Sequence, residues 1–275
     1  MFKDETLINS ALGKKTPYFE IYDPTLLFPI LRQINRDEIQ VPAPLPFTGV
    51  DIWNGYELSW LNPKGKPQIA RAEIIFPCDS IYIIESKSLK LYLNSFNNTP
   101  FSTIERVQQA IEKDLSDAIG SEVQVFLYTP DNQPDQTYAP FEGFCLDQLD
   151  IETNTYTLCP DFLQTSPEIV QEKLYSDLLK SNCLVTGQPD WGSLYVAYKG
   201  PKIDREGLLK YLISFRNHNE FGEQCAERIF MDITRRCKPQ KLTVYARYTR
   251  RGGLDINPFR TNCGEKPENS RQFRQ

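Results

Sequence analysis

Tyr92-Leu93-Asn94-Ser95-Phe96-Asn97-Asn98 and Tyr211-Leu212-Ile213-Ser214-Phe215-Arg216-Asn217 are two versions of one heptapeptide. Each is followed by a helical pattern and then by a strand ending in Tyr-Thr, at Tyr128-Thr129 and Tyr248-Thr249, so both matches give an offset near 120 residues. The same order of pieces at one offset predicts a duplicated module. The first helix is expected from a capping box of Ser102 and Glu105, with Ile104, Val107, Ile111, Leu115 and Ile119 as its apolar face and Gly120 as its stop. The second is expected from about Glu220 to Cys237, with Ala226, Ile229, Phe230 and Ile233 facing inward. EVQVFLY at 122–128, SLYVAYKG at 193–200 before a Gly-Pro turn, and KLTVYARYT at 241–249 read as strands, whereas 168–181 fits helix or strand. Each module therefore reads as an antiparallel sheet with helices on one face, an α+β arrangement.

Punctuation sets the boundaries. VPAPLPF at 41–47 is a proline-rich lead-in, and TPDNQPDQTYAPFEG at 129–143 is a polar connector. The expected division is residues 1–160 for the first module with its lead-in and connector, and 161–275 for the second.

Composition narrows the class. With 40% hydrophobic and 24% charged residues, the chain has the balance of a soluble globular protein. No apolar run approaches a membrane span, and the opening MFKDETLINS carries charges where a signal peptide needs an apolar stretch, so a cytoplasmic location is expected. A net charge of -5 disfavours a nucleic-acid partner, although Arg247, Arg250 and Arg251 could hold one small phosphate. The seven cysteines include no CxxC pair, which fits reduced thiols better than a disulfide framework or zinc ribbon. His218 is the only histidine, so a multi-histidine metal site is excluded and no metal is expected.

Chemistry concentrates in Ser181-Asn182-Cys183-Leu184-Val185-Thr186-Gly187-Gln188-Pro189-Asp190-Trp191. A Thr-Gly-Gln-Pro turn brings Cys183 and Asp190 toward one pocket, the thiol as nucleophile and the carboxylate as its proton partner, with Trp191 offering a flat face to a ring-shaped ligand. The first half has Ile84-Glu85-Ser86-Lys87-Ser88-Leu89-Lys90, which reads either as a phosphate-binding segment or as a solvated helix start. Phe221-Gly222-Glu223 puts a carboxylate in a helix's first turn, where the dipole favours it whatever its role. Arg250-Arg251-Gly252-Gly253 reads as an anion-holding turn or a plain surface turn. No GxGxxG or GxxxxGKS sequence is present, so a dinucleotide would bind without a Rossmann or P-loop cradle.

Taken together, ESKSLKLYLNSF at 85–96, SNCLVTGQPDWGS at 181–193, HNEF followed by EQCAERIF at 218–230, and YTRRGGLDINPFR at 248–260 resemble the NADPH-dependent 7-cyano-7-deazaguanine reductases, the nitrile reductases of queuosine biosynthesis, in their long two-module form. The resemblance implies a tunnel fold of two tandem modules, an oligomer with a dimer favoured, and 7-cyano-7-deazaguanine as small-molecule substrate. It implies a covalent thioimide on Cys183, with Asp190 supplying the proton and two NADPH molecules reducing the adduct to the aminomethyl product. It further implies that Ile84, Glu85, Ser86 and Glu223 hold the deazaguanine, that Ser86 and Lys87 contact NADPH, and that Arg251 and Gly252 do so from the other module. One position departs: the family's Phe-His-Glu is Phe221-Gly222-Glu223 here, so the imidazole beside the substrate is missing and full turnover is in question. The other readings are a protein that captures the nitrile without efficient turnover, motivated by Gly222, and a pterin or purine ring hydrolase of the same fold, which one histidine disfavours.

Overall fold

The structure, a computed structural model, describes residues 20–132 and 138–275. These group into two compact units, one of residues 20–38, 52–132 and 250–255, the other of 39–51, 138–249 and 256–275. A single cut at residue 160 does not reproduce this division: residues 39–51 and 138–160 group with the second unit, and the turn at 250–255 with the first. The opening MFKDETLINS and the middle of the 129–143 connector lie outside the described residues.

The first unit begins with β1 (Pro29–Leu31), α1 (Arg32–Glu38) and β2 (Thr48–Leu61), the last joining this unit from Ile52 onward. It continues through β3 (Pro67–Pro77), β4 (Tyr82–Ile84), α2 (Ser86–Ser95), α3 (Ile104–Ile119) and β5 (Gln124–Tyr128). Its sheet runs β5-β3-β2, with β3 and β5 antiparallel from Arg71↔Tyr128 to Ile75↔Gln124. Along β3, alternation buries Ala70, Ala72, Ile74 and Phe76 on one face. Val107, Ile111, Leu115 and Ile119 of α3 are all buried, as the period-3.6 pattern predicts. The expected capping box is not formed: the cap is Thr103, one residue later than Ser102, so Glu105 falls at the wrong spacing. Gly120 ends the helix at φ +69, as expected.

The second unit contains β6 (Phe144–Cys145), β7 (Thr165–Asn182), β8 (Pro189–Ile203), α4 (Arg205–Ser214), α5 (Gly222–Cys237), β9 (Lys241–Tyr248) and β10 (Leu254–Thr261), the last from Ile256 onward. Its strand order is β10-β9-β8-β7-β6, antiparallel except for the short β6–β7 pair. The ambiguous stretch 168–181 is strand, forming with β8 one long hairpin. No turn forms at Gly200-Pro201: β8 runs on to Ile203 beside a register shift between Ser166 and Ile169, an irregularity that accommodates a proline without an N–H. α5 lies against β8 and β9, covering Leu194, Val196, Val244 and Ala246 with Ala226, Ile229, Phe230 and Ile233, all buried. Arg260, fully buried on β10, is neutralised by Asp51 at 2.7 Å and Glu227 at 3.0 Å. An unpaired charge there would be far too costly to bury.

Candidate active site

Cys183 leaves the end of β7 with its N–H bonded to Gln188 O at 2.8 Å, and Gly187, at φ +65, returns its own N–H to Cys183 O at 3.0 Å. Below this loop Ser181 pairs with Asp190, and Gly192, two residues on, pairs with Tyr248 of β9. Paired residues share a face and strand side chains alternate, so Ser181, Asp190, Gly192 and Tyr248 stand on the face that α5 covers. Cys183 is the first residue past β7, and its backbone bond to Gln188 extends the ladder one step beyond Asn182–Pro189. Cys183 and Asp190 are then diagonal neighbours, which in a regular ladder stand about 7–8 Å apart, with their Cβ atoms somewhat closer. Trp191 falls on the opposite face; the guanidinium groups of Arg216 and Arg274 lie 5.6 and 4.9 Å from its ring centroid, so it is not the expected flat wall beside Asp190.

Two backbone bonds bring the start of α5 to the same place. Asn182 N–H donates to His218 O at 2.8 Å, and Glu220 N–H to Asn182 O at 3.1 Å. Glu220 is buried and accepts bonds from His218 Nε2 at 2.9 Å and from Arg228, Nε at 2.9 Å and Nη2 at 2.7 Å. Burial alone would push this carboxyl up, but the bonds from His218 and Arg228 outweigh it and hold its pKa below the ordinary value. The single histidine is thereby committed to a bond with Glu220 at the approach to α5. Glu223, 2% exposed, sits in the first turn, and the Cβ that Gly222 lacks would stand 2.8 Å from the Tyr248 ring.

In the first unit, Ile84 ends β4 and Glu85 caps α2. Glu85 is fully buried, so the solvated-start reading fails: its two carboxylate oxygens accept from Lys87 N at 2.7 Å and Ser88 N at 2.8 Å. Burial raises its pKa against the pull of those amides and of Lys90 and Lys87. Since Glu85 already takes these first-turn amides, a phosphate near Ser86 and Lys87 would have to be met by side chains. Arg251 exchanges backbone bonds with Leu254 across a tight turn in which Gly252 and Gly253 take φ +55 and +74, values open to glycine without strain. The missing Cβ of Gly252 would lie 3.2 Å from Cδ of Lys90, so this turn lies against α2. Arg251 and Gly252 thus group with Ser86 and Lys87 in one unit, not opposite them as expected. Arg247 is not in that cluster; it is buried, bonded to Tyr245, Asn269 and Gln275. A glycine-rich turn that carries Arg251 and lies beside Lys90 suits a phosphate-bearing cofactor.

The first unit therefore carries Ile84, Glu85, Ser86, Lys87, Arg251 and Gly252, and the second carries Cys183, Asp190, Gly222 and Glu223. Sequence reasoning passed over Ser181, Glu220, Cys225, Arg228 and Tyr248. Only the clustering of Glu220, Cys225 and Arg228 within the HNEF…EQCAERIF segment could have signalled part of this group.

Comparison with known proteins bears on the same residues. Residues 18–127 match the family model described as nitrile reductase, 7-cyano-7-deazaguanine-reductase N-term, and residues 189–267 match that of QueF-like protein. The chain is 60% identical over 270 residues to the NADPH-dependent 7-cyano-7-deazaguanine reductase of Legionella pneumophila (strain Corby), covering 97% of this chain and 95% of that one. It is 61% identical over 274 residues to the protein so named in Cupriavidus pinatubonensis, covering 97% and 98%. Identity of this order along nearly the whole of both chains places this one in the 7-cyano-7-deazaguanine reductase family of nitrile reductases.

Proposed function

We propose that this chain uses NADPH to reduce the nitrile of 7-cyano-7-deazaguanine to the aminomethyl group, through a covalent adduct on Cys183, in the cytoplasm and in the service of queuosine formation in tRNA. The observation that supports the reading is the backbone ladder, which pairs Ser181 with Asp190, continues through the Cys183–Gln188 bond and is tied at Asn182 to the segment that starts α5. The thiol adds across the triple bond: a carbon–sulfur bond forms, one carbon–nitrogen π bond breaks, and the thiol proton passes through Asp190 to the nitrogen, leaving a thioimide. Glu223, buried in the first turn of α5, suits the paired N–H donors of a guanine-like edge, with Ile84, Glu85 and Ser86 completing the substrate contacts. Bound NADPH supplies hydride, two equivalents for the four electrons between nitrile and amine. Lys87 and Arg251 meet its phosphate, with Ser86 and Gly252 shaping the approach. The working form is a homo-oligomer, with a dimer favoured.

The test is a mass increase equal to the nitrile base on the intact protein, coupled to loss of NADPH absorbance. Cys183→Ala should lose both. A persisting adduct in that variant would reassign the nucleophile.

A second reading, covalent capture with impaired turnover, is favoured by Gly222. A positioned acid–base group contributes about a hundredfold to ten-thousandfold in rate, and none stands at this position. Gly222→His should raise steady-state NADPH oxidation, but not freely. Tyr248 must give way to restore a normal carbon contact of about 3.5 Å, at a cost of about 1–3 kcal/mol in stability. Equal or lower turnover with normal folding would mean that the glycine impairs nothing.

A further inference from the structure

The long hairpin of β7 and β8 changes register on its way to the turn that carries Cys183. Ser176 pairs with Leu194 and Leu179 with Gly192, so Asp177 and Leu178 together face Ser193 alone. Two residues against one form a β-bulge, which bends the strand, sharpens its twist and interrupts the ladder, so that backbone groups must find other partners. Side chains supply them here. Asp177 N–H donates to Asp147 Oδ2 at 2.8 Å, Leu178 N–H to Ser176 Oγ at 3.1 Å, and Asp177 O accepts from Arg274 Nε at 2.8 Å. Asp190 lies beyond the bulge, two residues from Gly192 and across from Ser181. The angle set at Asp177 therefore decides where the Asp190 carboxyl group stands.

Arg274 makes a second contact with the same hairpin. Its guanidinium lies 4.9 Å from the ring centroid of Trp191, the residue that follows Asp190 and stands on the face away from α5. A cation over an indole is attracted by the negative face of the ring, and the planar guanidinium can stack on it. Trp191 is also held through its backbone, where Thr249 N–H donates to Trp191 O at 2.7 Å. Beside Arg274, Gln275 grips the end of β9. Its Nε2 donates to Tyr248 O at 3.2 Å and to Asn257 Oδ1 at 2.7 Å, and its Oε1 accepts from Nε of buried Arg247 at 2.8 Å. Tyr248 pairs with Gly192, the first regular step past the bulge. Further back, buried Gln272 anchors the stretch, accepting from Phe141 N at 3.0 Å and donating to Ala139 O at 2.7 Å. Residues 272–275 thus join the bulge, Trp191 and the end of β9, all within the second unit.

We propose that residues 272–275 brace the end of this hairpin from the face opposite α5, and that Arg274 is a positioning residue for Asp190, fixing the bulge through Asp177 O and the indole through its guanidinium. The consequence for catalysis rests on the proposed role of Asp190, and adds to it a residue that aims the acid without touching the substrate. With α5 on one face and the brace on the other, tilting of the hairpin end about the bulge is resisted from both sides.

Arg274→Ala removes both contacts. At saturating nitrile base the adduct should form about tenfold to a hundredfold more slowly, the scale on which a displacement of up to about 1 Å acts. The final amount of adduct, the half-saturating nitrile concentration and the affinity for NADPH should stay as they are. A loss of stability alone would lower the amount of adduct or the melting temperature and leave the rate of the folded fraction untouched. If Arg274→Ala does not fold, Arg274→Met carries the test, because it keeps an unbranched stem against the ring and removes the donor and the charge. Phe273→Ala, in the same stretch but with an exposed ring, should change nothing; an equal loss there would overturn the assignment to Arg274. Amide exchange of residues 178–192 without substrate should quicken in the arginine variant, and it separates the brace from the chemistry. Faster exchange in the variant, together with no adduct in the unaltered chain, would sink the nitrile chemistry and leave the brace standing. Unchanged exchange, or an adduct rate within twofold of the unaltered chain's, would overturn the proposal.

Discussion

The helix pairs of the two units are built on one plan and end differently. In α2, Tyr92 Oη donates to Asp114 of α3 at 2.7 Å, Ser95 Oγ turns back to Tyr92 O at 2.6 Å, and the Tyr92 and Phe96 rings meet edge to face at 5.2 Å. In α4, Tyr211 donates to Asp232 of α5 at 2.7 Å, Ser214 turns back to Tyr211 O at 2.6 Å, and Tyr211 meets Phe215 at 5.3 Å. The helix starts diverge. Glu85 is a buried cap that spans two amides, whereas Asp204 caps α4 through Gly207 N alone. Glu105 in the first turn of α3 is exposed, whereas Glu223 in the first turn of α5 is buried. The hairpin ends differ too, a tight Asn62–Lys66 turn in one unit and the Cys183–Gln188 loop in the other. A duplicated core fixes the scaffold, and chemistry is distributed by altering the ends of its elements.

The contrast is open to attack at each level. Asp190→Asn should slow adduct formation by about a hundredfold to ten-thousandfold and leave NADPH affinity unchanged, as a rapid-quench series and a cofactor titration would read. Lys64→Ala, in the corresponding turn of the first unit, should change neither. A comparable loss there would mean that the two hairpin ends are not functionally distinct.

Glu220→Gln should cost on the order of 3 kcal/mol at neutral pH, because it removes the charge of a buried carboxylate from its bonds to Arg228 and His218. The sign of the pH effect follows from the lowered pKa of Glu220. Its contribution is present above the unfolded carboxylate value and fades as pH falls through the folded one. Denaturant melts should therefore show the variant's deficit shrinking on acidification; a constant deficit would remove the ion pair from the account.

Lys87→Ala should raise the KM for NADPH about tenfold, or roughly 1.4 kcal/mol, with little effect on NADH. Glu206→Ala, at the matching position of α4, should affect neither cofactor. Equal losses for NADPH and NADH in the lysine variant would argue against a phosphate contact. The smallest effect tests the shared core: Tyr92→Phe and Tyr211→Phe should each cost about 1 kcal/mol in equilibrium unfolding. Clearly unequal losses would mean that the two Tyr–Asp bonds do different work.

Much of this plan is legible in the linear sequence, since Tyr-Leu-x-Ser-Phe recurs with its helices and strands in order. Asp114 and Asp232 are not, because they meet their tyrosines only once the helices pack. The stretch 168–181 hid its strand through a register shift between Ser176 and Leu179, which breaks the alternation partway and mimics neither period. Cys183 and Asp190 stand out as polar residues on a turn. The alignment of Ser181 with Asp190 and of Tyr248 with Gly192 does not, because it comes from register, and register cannot be read from one strand at a time. The bond of His218 to Glu220 is likewise not legible, because nothing in the spacing of the two residues shows which groups their side chains meet.

The paired bonds between Asn182 and the His218–Glu220 segment tie the end of the hairpin to the start of α5. Neither can fray alone. Amide exchange at Asn182 and Glu220 should report a single opening event, with one protection factor for both. A ligand that stiffens either element would slow exchange in the other, so order gained at the nucleophile's loop is transmitted along the backbone to the helix that carries Glu223.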